Sequence, residues 1–357
     1  MCQTTTRPDA LFCILPPHIL HAVAQNGTPQ QRAAALQTLG TDHTFRSFRA
    51  QRLATPAVRH PPALLAVGGQ KHRTIFDAHH TQTLPGATVR VEGAPATTDP
   101  AVNEAYDGLG ATYDLYWEVF ARNSIDDNGL ALHASVHFGQ DYDNAFWDGQ
   151  RMVFGDGDGQ LFHRFTSALD VIGHELTHGV TEDEAHLTYA FQPGALNESI
   201  SDVFGSLVRQ HALNQTAAQA DWLIGAGLFA AHVKGVALRS MQAPSTAFDD
   251  PVLGKDPQPA HMHHFVHTTQ DNGGVHINSG IPNHAFYLVA TQLGGHAWEK
   301  AGHIWYETLH DPRLSAHTSF RRFARLTFAN AGHLFGQGAQ EQQVVRNAWN
   351  QVGIAIP

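Results

Sequence analysis

Two histidines four residues apart, with a glutamate beside the first, stand at His174-Glu175-Leu176-Thr177-His178. Leu169, Ile172, Leu176 and Val180 recur at helical spacing around them, which predicts a helix. Positions i and i+4 share one helical face, so both imidazoles can address one ion. Neutral imidazole nitrogen suits Zn2+. Glu175 would then face a water on the ion and leave the ion to the histidines. The chain has 26 histidines, so the pair alone leaves open two exposed side chains that meet by accident.

A second segment, Asn197-Glu198-Ser199-Ile200-Ser201-Asp202, reads as the start of another helix. Glu198 offers a third ligand and leaves one position for water, as a catalytic zinc requires. Asp202, one turn on, can accept a hydrogen bond from the second ring nitrogen of a ligand, His174, and fix that ring. The alternative for Asp202 is a solvated helix charge. His261, His263, His264 and His267 read as a surface loop in preference to a second metal site.

The elements that must carry these residues fall into three stretches. Residues 1–50 form a separate unit, with an apolar run ending in Pro16-Pro17 and helical patterns over 19–24 and 30–39. A polar, Arg-containing link with Pro56, Pro61 and Pro62 follows over 44–62. Residues 51–166 read as a β-rich lobe, with strand patterns at 88–91, 131–138 and 152–154 and one helix over 103–120. Residues 167–357 read as helical, beginning with Ser167 and Asp170 as a capping pair. Further helices are expected over 197–211, 281–293, 298–309, 320–328 and 340–352. The fold class is α+β.

Composition narrows the function. A net charge of −10 and the lack of basic runs argue against nucleic acid and anionic membranes as partners. The two cysteines, Cys2 and Cys13, cannot supply a disulfide framework for the body. The first residues lack a basic region and a long apolar core, so the default location is cytoplasmic, with export by another route open.

Five ordered blocks resemble thermolysin-like neutral metalloproteases: HELTHGVT at 174–181, NESISD at 197–202, DNGGVHINSG at 271–280, and shorter matches at 144–149 and 238–241. The resemblance runs from about residue 70 to the C-terminus and implies a two-lobe zinc endopeptidase fold. It implies His174, His178 and Glu198 as zinc ligands and Glu175 as general base. It implies Tyr189 and His276 as oxyanion donors, with Asp271 orienting His276. Asn144, Ala145 and Arg239 correspond to substrate-backbone contacts. Phe162, Phe165, Val171, Ile224, Leu228 and Leu238 correspond to an apolar pocket after the scissile bond, so Leu, Ile or Phe is expected on the carboxyl side of the cut.

The chain departs from the secreted members at their double calcium site. Asp170 and Asp221 occupy two carboxylate positions, whereas Arg209, Leu223 and Ala226 stand at others, so calcium is not expected there. The start, around Cys13 to Leu20, resembles the short precursor segment of protealysin-type enzymes. It is expected to fold against the body, block the cleft through the Pro16-Pro17 turn, and be cut off within 45–57. Cys13 as a thiolate ligand of the zinc is a further possibility. Two competing functions stay in view. An aminopeptidase would need a Gly-x-Met-Glu-Asn strand, which is absent. A non-enzyme on the same fold would be expected to lack a ligand or the base, and all four residues are present.

Overall fold

The alternating segments of the first half assemble into one six-stranded sheet in the order β1-β5-β6-β4-β2-β3. The structure, a computed structural model, describes residues 12–54 and 69–356. The first elements are β1 (Phe12–Cys13), α1 (Pro17–Asn26) and α2 (Pro29–Ala54). Then come β2 (Arg73–Asp77), β3 (Ala87–Val91), α3 (Pro100–Phe120), β4 (Leu132–Val136), β5 (Ala145–Trp147) and β6 (Met152–Phe154). Strands β2, β4 and β6 run parallel, and β3 and β5 pair antiparallel at either side. The sheet's outer neighbour on the β5 side is β1, from the N-terminal segment, pairing antiparallel with Cys13 opposite Phe146.

From residue 169 onward helices dominate, as expected. They are α4 (Leu169–Glu184), α5 (Phe191–Ala212), α6 (Asp271–Asn278), α7 (Gly280–Leu293), α8 (His303–Leu309), α9 (Phe320–Phe335) and α10 (Gln340–Gln351). Between α5 and α6 lie two short ribbons, β7 (Leu223–Ile224) with β8 (Arg239–Ser240), and β9 (Asp249–Asp250) with β10 (Gly254–Lys255). Among the described residues no helix is long and apolar enough to cross a membrane.

Several local expectations are corrected. The link expected from Thr44 continues as helix α2 to Ala54, because nothing before Pro56 breaks the pattern. Pro56, Pro61 and Pro62, and with them the end of the expected cleavage window, lie outside the described residues. The Ser167–Asp170 capping pair does not form. Ala168 is the N-cap of α4, the Ser167 hydroxyl donates to the Arg164 carbonyl, and the Asp170 carboxylate accepts from the amides of Val171 and Gly225. Helix α5 begins six residues before Asn197, with Pro193 in its first turn, where a missing N–H costs nothing. Residues 298–302 form a π-helical turn ahead of α8.

Helices α4 and α5 carry the chemistry and lie unusually close. A Cβ on Gly205 would sit 2.4 Å from the Asp170 carbonyl oxygen, and one on Gly173 would sit 3.0 Å from the Gly205 Cα. These two glycines let the backbones meet beside His174. The helical apolar core and the sheet then close over both helices, leaving residues 170–181 and 194–208 buried.

Candidate active site

The helical face that carries His174 and His178 meets the face of α5 that carries Glu198. The ligand atoms of these three residues lie within 4.8 Å of one another, and all three side chains are buried. The His174 and His178 Nε2 atoms are 3.0 Å apart, and the Glu198 oxygens lie 3.5 and 3.6 Å from them. Buried imidazole nitrogens this close to a buried carboxylate need a shared cation or an ordered set of protons. The donor set of two imidazoles and one carboxylate fits zinc with a position left open.

The opposite ring nitrogens are fixed as such a site requires. His174 Nδ1 bonds Asp202 at 2.8 Å, the contact expected from the sequence. Asp202 is itself clamped by Arg239 through two bonds of 2.8 Å and by Asn283 at 2.8 Å. Burial alone would raise the Asp202 carboxyl, but Arg239 and His174 hold it far below the usual carboxylate range. His178 Nδ1 meets Asn197 Oδ1 at 2.7 Å and Ser201 Oγ at 3.0 Å. Asn197, Ser201 and Asn283 were not singled out from the sequence. Asn197 and Ser201 flank Glu198 at helical spacing, which is a signal that could have found them.

Around this core stand the other expected residues. The Glu175 carboxylate is fully buried and accepts from the Trp147 amide at 3.1 Å. The Tyr189 hydroxyl donates to Glu198 and lies 3.3 Å from His276 Nε2. The Asp271 carboxylate accepts from the His276 ring at 2.6 Å and from its amide at 2.9 Å. Burial would lower the His276 imidazole, but Asp271 and Glu198 outweigh it and push it up to about 9. The ring is therefore charged at neutral pH and can donate to a developing anion.

The cleft beside these groups is filled by the chain's own residues 13–15. The Ile14 amide donates to the Ala145 carbonyl at 3.2 Å, and the Leu15 amide donates to Asn144 Oδ1 at 3.0 Å. Arg239 donates to the Ile14 carbonyl at 3.0 Å, and His276 Nε2 lies 3.2 Å from the Cys13 carbonyl oxygen. The peptide beside His276 is thus Cys13–Ile14. The expectation that the Pro16-Pro17 turn would stand there is corrected: the strand pairing of β1 ends just before it, and Pro17 opens helix α1. The Cys13 side chain packs with Phe138, Tyr142 and Phe146. Ile14 is fully buried and shares its apolar core with Phe162, Phe165, Val171, Ile224, Leu228 and Leu238.

Helix α2 grips the same edge. The Asp42 carboxylate accepts from the Tyr142 hydroxyl at 2.5 Å and from Asn144 Nδ2 at 3.0 Å, and the Asp143 amide donates to Thr38. Farther out, the Arg209 guanidinium bonds both oxygens of Asp221 at 2.9 Å and lies 3.8 Å from Asp170. The histidines at 261–267 do not gather three ligand atoms: His261 instead caps a short turn by accepting from the His263 amide.

Comparison with known proteins agrees with this geometry. Residues 59–182 match the family described as the thermolysin metallopeptidase catalytic domain, and residues 185–354 match its alpha-helical domain. The chain is 54% identical over 344 residues to an extracellular metalloprotease of Pectobacterium carotovorum subsp. carotovorum, covering 96% of each. It is 45% identical to an extracellular minor metalloprotease of Serratia marcescens, covering 80% of this chain and 79% of that protein. The solved precursor of protealysin, a metalloproteinase from Serratia proteamaculans, superposes with a TM-score of 0.88 at 53% identity, over 96% of this chain and all of that one. The cytoplasmic expectation is overturned by relatives that bear the name extracellular.

Proposed function

Because the chain belongs to the thermolysin metallopeptidase family and is a zinc metalloendopeptidase, we propose that it is a secreted precursor that trims itself and then cuts peptides on the amino side of bulky apolar residues. Residues 1–50 are the pro-segment, 51–166 the β-rich catalytic lobe, and 167–357 the active-site helix with the helical lobe. Calcium is not bound at the family's double site, because the Arg209 guanidinium supplies the positive charge between Asp170 and Asp221.

His174, His178 and Glu198 would hold the zinc, which would supply an acidified water and a Lewis acid for the substrate carbonyl. Glu175 is placed to accept a proton from an attacking water and to return it to the leaving amine. Tyr189 and charged His276 donate to the oxyanion, and Asp271 keeps His276 charged and oriented. Asp202 holds the His174 ring, while Arg239 both braces Asp202 and binds the substrate carbonyl after the cut. Asn144 and Ala145 bind the substrate amides as an added strand. The apolar pocket of Phe162, Phe165, Val171, Ile224, Leu228 and Leu238 selects the side chain, a burial worth about 1.5–3 kcal/mol.

The observation that carries the zymogen reading is the bonding of residues 13–15. They use Asn144, Ala145, Arg239 and His276, the groups assigned to substrate. A peptide cannot enter while they are there. The test compares full-length chain, residues 51–357 and full-length Glu175→Gln on a blocked peptide with Leu after the scissile bond. Activity is expected from the short form and from the full-length parent after a lag with trimming, and none from the variant. Full-length parent that is active without trimming refutes the inhibition, and trimming of the variant in the absence of other proteases refutes self-processing.

A further inference from the structure

Outside the active site the described residues gather one other set of ligand atoms within 4.8 Å of each other, from His80, His137 and Asp156. Its origin is the sheet. Strands β2, β4 and β6 are consecutive parallel neighbours, and their ends lie level, with Asp77 opposite Val136 and Ser135 opposite Val153. Each strand delivers one residue just past its carboxyl end: His80 after β2, His137 after β4 and Asp156 after β6. The His80 amide donates to the His137 carbonyl at 2.8 Å, which ties the first two turns together. His79, His80 and His137 all adopt left-handed backbone, with φ of 51°, 56° and 52°. Three rigid strand ends thus converge on one point, a firmer support than a loop provides.

From this convergence we infer that His80, His137 and Asp156 form a second metal site, for zinc or another late first-row divalent cation, exposed at the carboxyl edge of the sheet. Two imidazoles and a carboxylate, with an outer position for water, are donors such ions accept. Zinc bound at about 2.0–2.1 Å in a tetrahedron spaces its ligand atoms about 3.3 Å apart. His80 Nδ1 lies 3.4 Å from Asp156 Oδ2, close to that edge. His137 Nδ1 lies 2.8 Å from the same oxygen and must open by about half an ångström. The second nitrogen of His137 is already held as metal-ligating histidines hold theirs: Nε2 bonds the Asp99 carboxylate at 2.7 Å. Asp99 is anchored in turn as the N-cap of α3, accepting from the Ala101 amide at 2.8 Å.

A proton stands where the ion would go. The bond to Asp156 raises the His137 imidazole, burial opposes it, and Asp99 adds to the rise, to about 9. The metal replaces the Nδ1 proton, releasing it, while the Nε2 proton stays toward Asp99. The nearby charges do not compete for the pocket: Arg164 is bound to both oxygens of Glu104, and His79 pairs with Asp77 at 2.9 Å. A bare ion triad explains His137 between its two carboxylates, but it leaves His80 Nδ1 3.4 Å from Asp156, longer than a good hydrogen bond. The site also has a structural consequence. The turn that carries His80 reaches Thr41 of α2 through Gln82, and the turn after His137 reaches Gln37 through the Gln140 carbonyl. An ion here would bolt together the two turns that hold the pro-segment.

The site owes nothing to the catalytic assignment, and its test keeps the two apart. Full-length chain is equilibrated with buffered Zn2+ near pH 8 and its zinc counted by native mass spectrometry. The parent is expected to hold two zinc ions, His80→Ala one, and His178→Ala one. The zinc left in His178→Ala should be lost on adding His80→Ala. Asp99→Asn keeps the helix cap and should weaken the second ion about 10–100-fold. Because His80 is exposed at the surface, His80→Ala should fold, and circular dichroism checks it. One zinc in the parent, or a second zinc held with unchanged affinity in His80→Ala, overturns the proposal.

Discussion

The metal-ligand core and the segment that fills the cleft beside it are held by different kinds of contact. At the core every ligand is braced by the two helices that carry it and their neighbours: His174 by Asp202, His178 by Asn197 and Ser201. All of these groups are buried, and most partners are within 28 residues of each other in sequence. The segment 13–15 is held mainly by its own backbone, through the amides of Ile14 and Leu15 and the carbonyls of Cys13 and Ile14. Side-chain identity fixes the core, whereas the cleft holds its occupant chiefly by the backbone and asks for one apolar side chain, here Ile14. The core is therefore permanent and its occupant replaceable, which is what a precursor of a peptidase needs.

The sharpest way to break that comparison is to disable the core chemistry while leaving its architecture. Glu175→Gln keeps shape and the acceptor for the Trp147 amide, but an amide cannot take a proton from water. Peptidase activity of the trimmed enzyme should fall by about 10²–10⁴, with zinc content unchanged by metal analysis. Activity close to the parent would remove Glu175 from its role. Next in size is the clamp on the occupant. Asp42→Ala leaves the Tyr142 hydroxyl and Asn144 amide without their acceptor, at about 1–3 kcal/mol each. Docking of the pro-segment should weaken about 10²-fold or more, read as a shortened lag before activity appears. An unchanged lag would mean that α2 does not control the cleft.

How much of this was legible in sequence follows from the same contrast. His174, His178, Glu198 and Asp202 could be read because helical periodicity turns spacing into direction, and each pair sits on one or two helices. Asn197 and Ser201 lay in the same block but were passed over, since a turn of helix offers several polar candidates for one ring nitrogen. Asp42 could not be read at all, because its partners are 100 and 102 residues away. His80, His137 and Asp156 are joined only by the register of three parallel strands, which spacing does not encode. The Pro16-Pro17 turn was the conspicuous feature of its segment, yet the less distinctive Cys13–Ile14 peptide lies beside His276, because strand pairing, not proline, sets the register.

A smaller effect is expected from acid. His18 follows the strand, at the start of α1, and both its ring nitrogens are buried without a hydrogen-bond partner among the described residues. Burial lowers the imidazole to about 4; Asp271 opposes this, while His276, Arg239 and His21 add to it. Undocked, the ring titrates near its ordinary 6.5. The sign follows from linkage. Protonation favours the undocked state, so docking is full above about 6.5 and weakens about tenfold per pH unit down to about 4. At pH 5 it should be about twentyfold weaker than at pH 7. Amide exchange at Ile14 and Leu15 in full-length Glu175→Gln, corrected for intrinsic rates, measures it. His18→Phe should flatten the profile; a parent profile that is already flat would refute the role of His18.

The smallest effect expected is none, and it tests the far end of α5. That helix meets a metal site at Glu198 and an arginine at Arg209, whose guanidinium bonds Asp221 and lies beside Asp170. Burial raises the Asp170 carboxyl to about 6 even though Arg209 and the Gly225 amide work against it. A calcium ion placed there would have to displace the guanidinium and find six to eight oxygens. Were calcium bound at about 100 times its Kd, its removal would cost about 2.7 kcal/mol. On a domain of 150–250 residues, each kcal/mol is worth about 2–4 °C in melting temperature. With zinc buffered and calcium removed by a calcium-selective chelator, the trimmed enzyme should melt within about 1 °C of the untreated one. A fall of several degrees that calcium restores would show that Arg209 does not stand in for the ion. Arg209→Ala separates the remaining cases. It should lower the melting temperature in both media alike, whereas a loss that added calcium reverses would mean that the arginine merely guards a competent site.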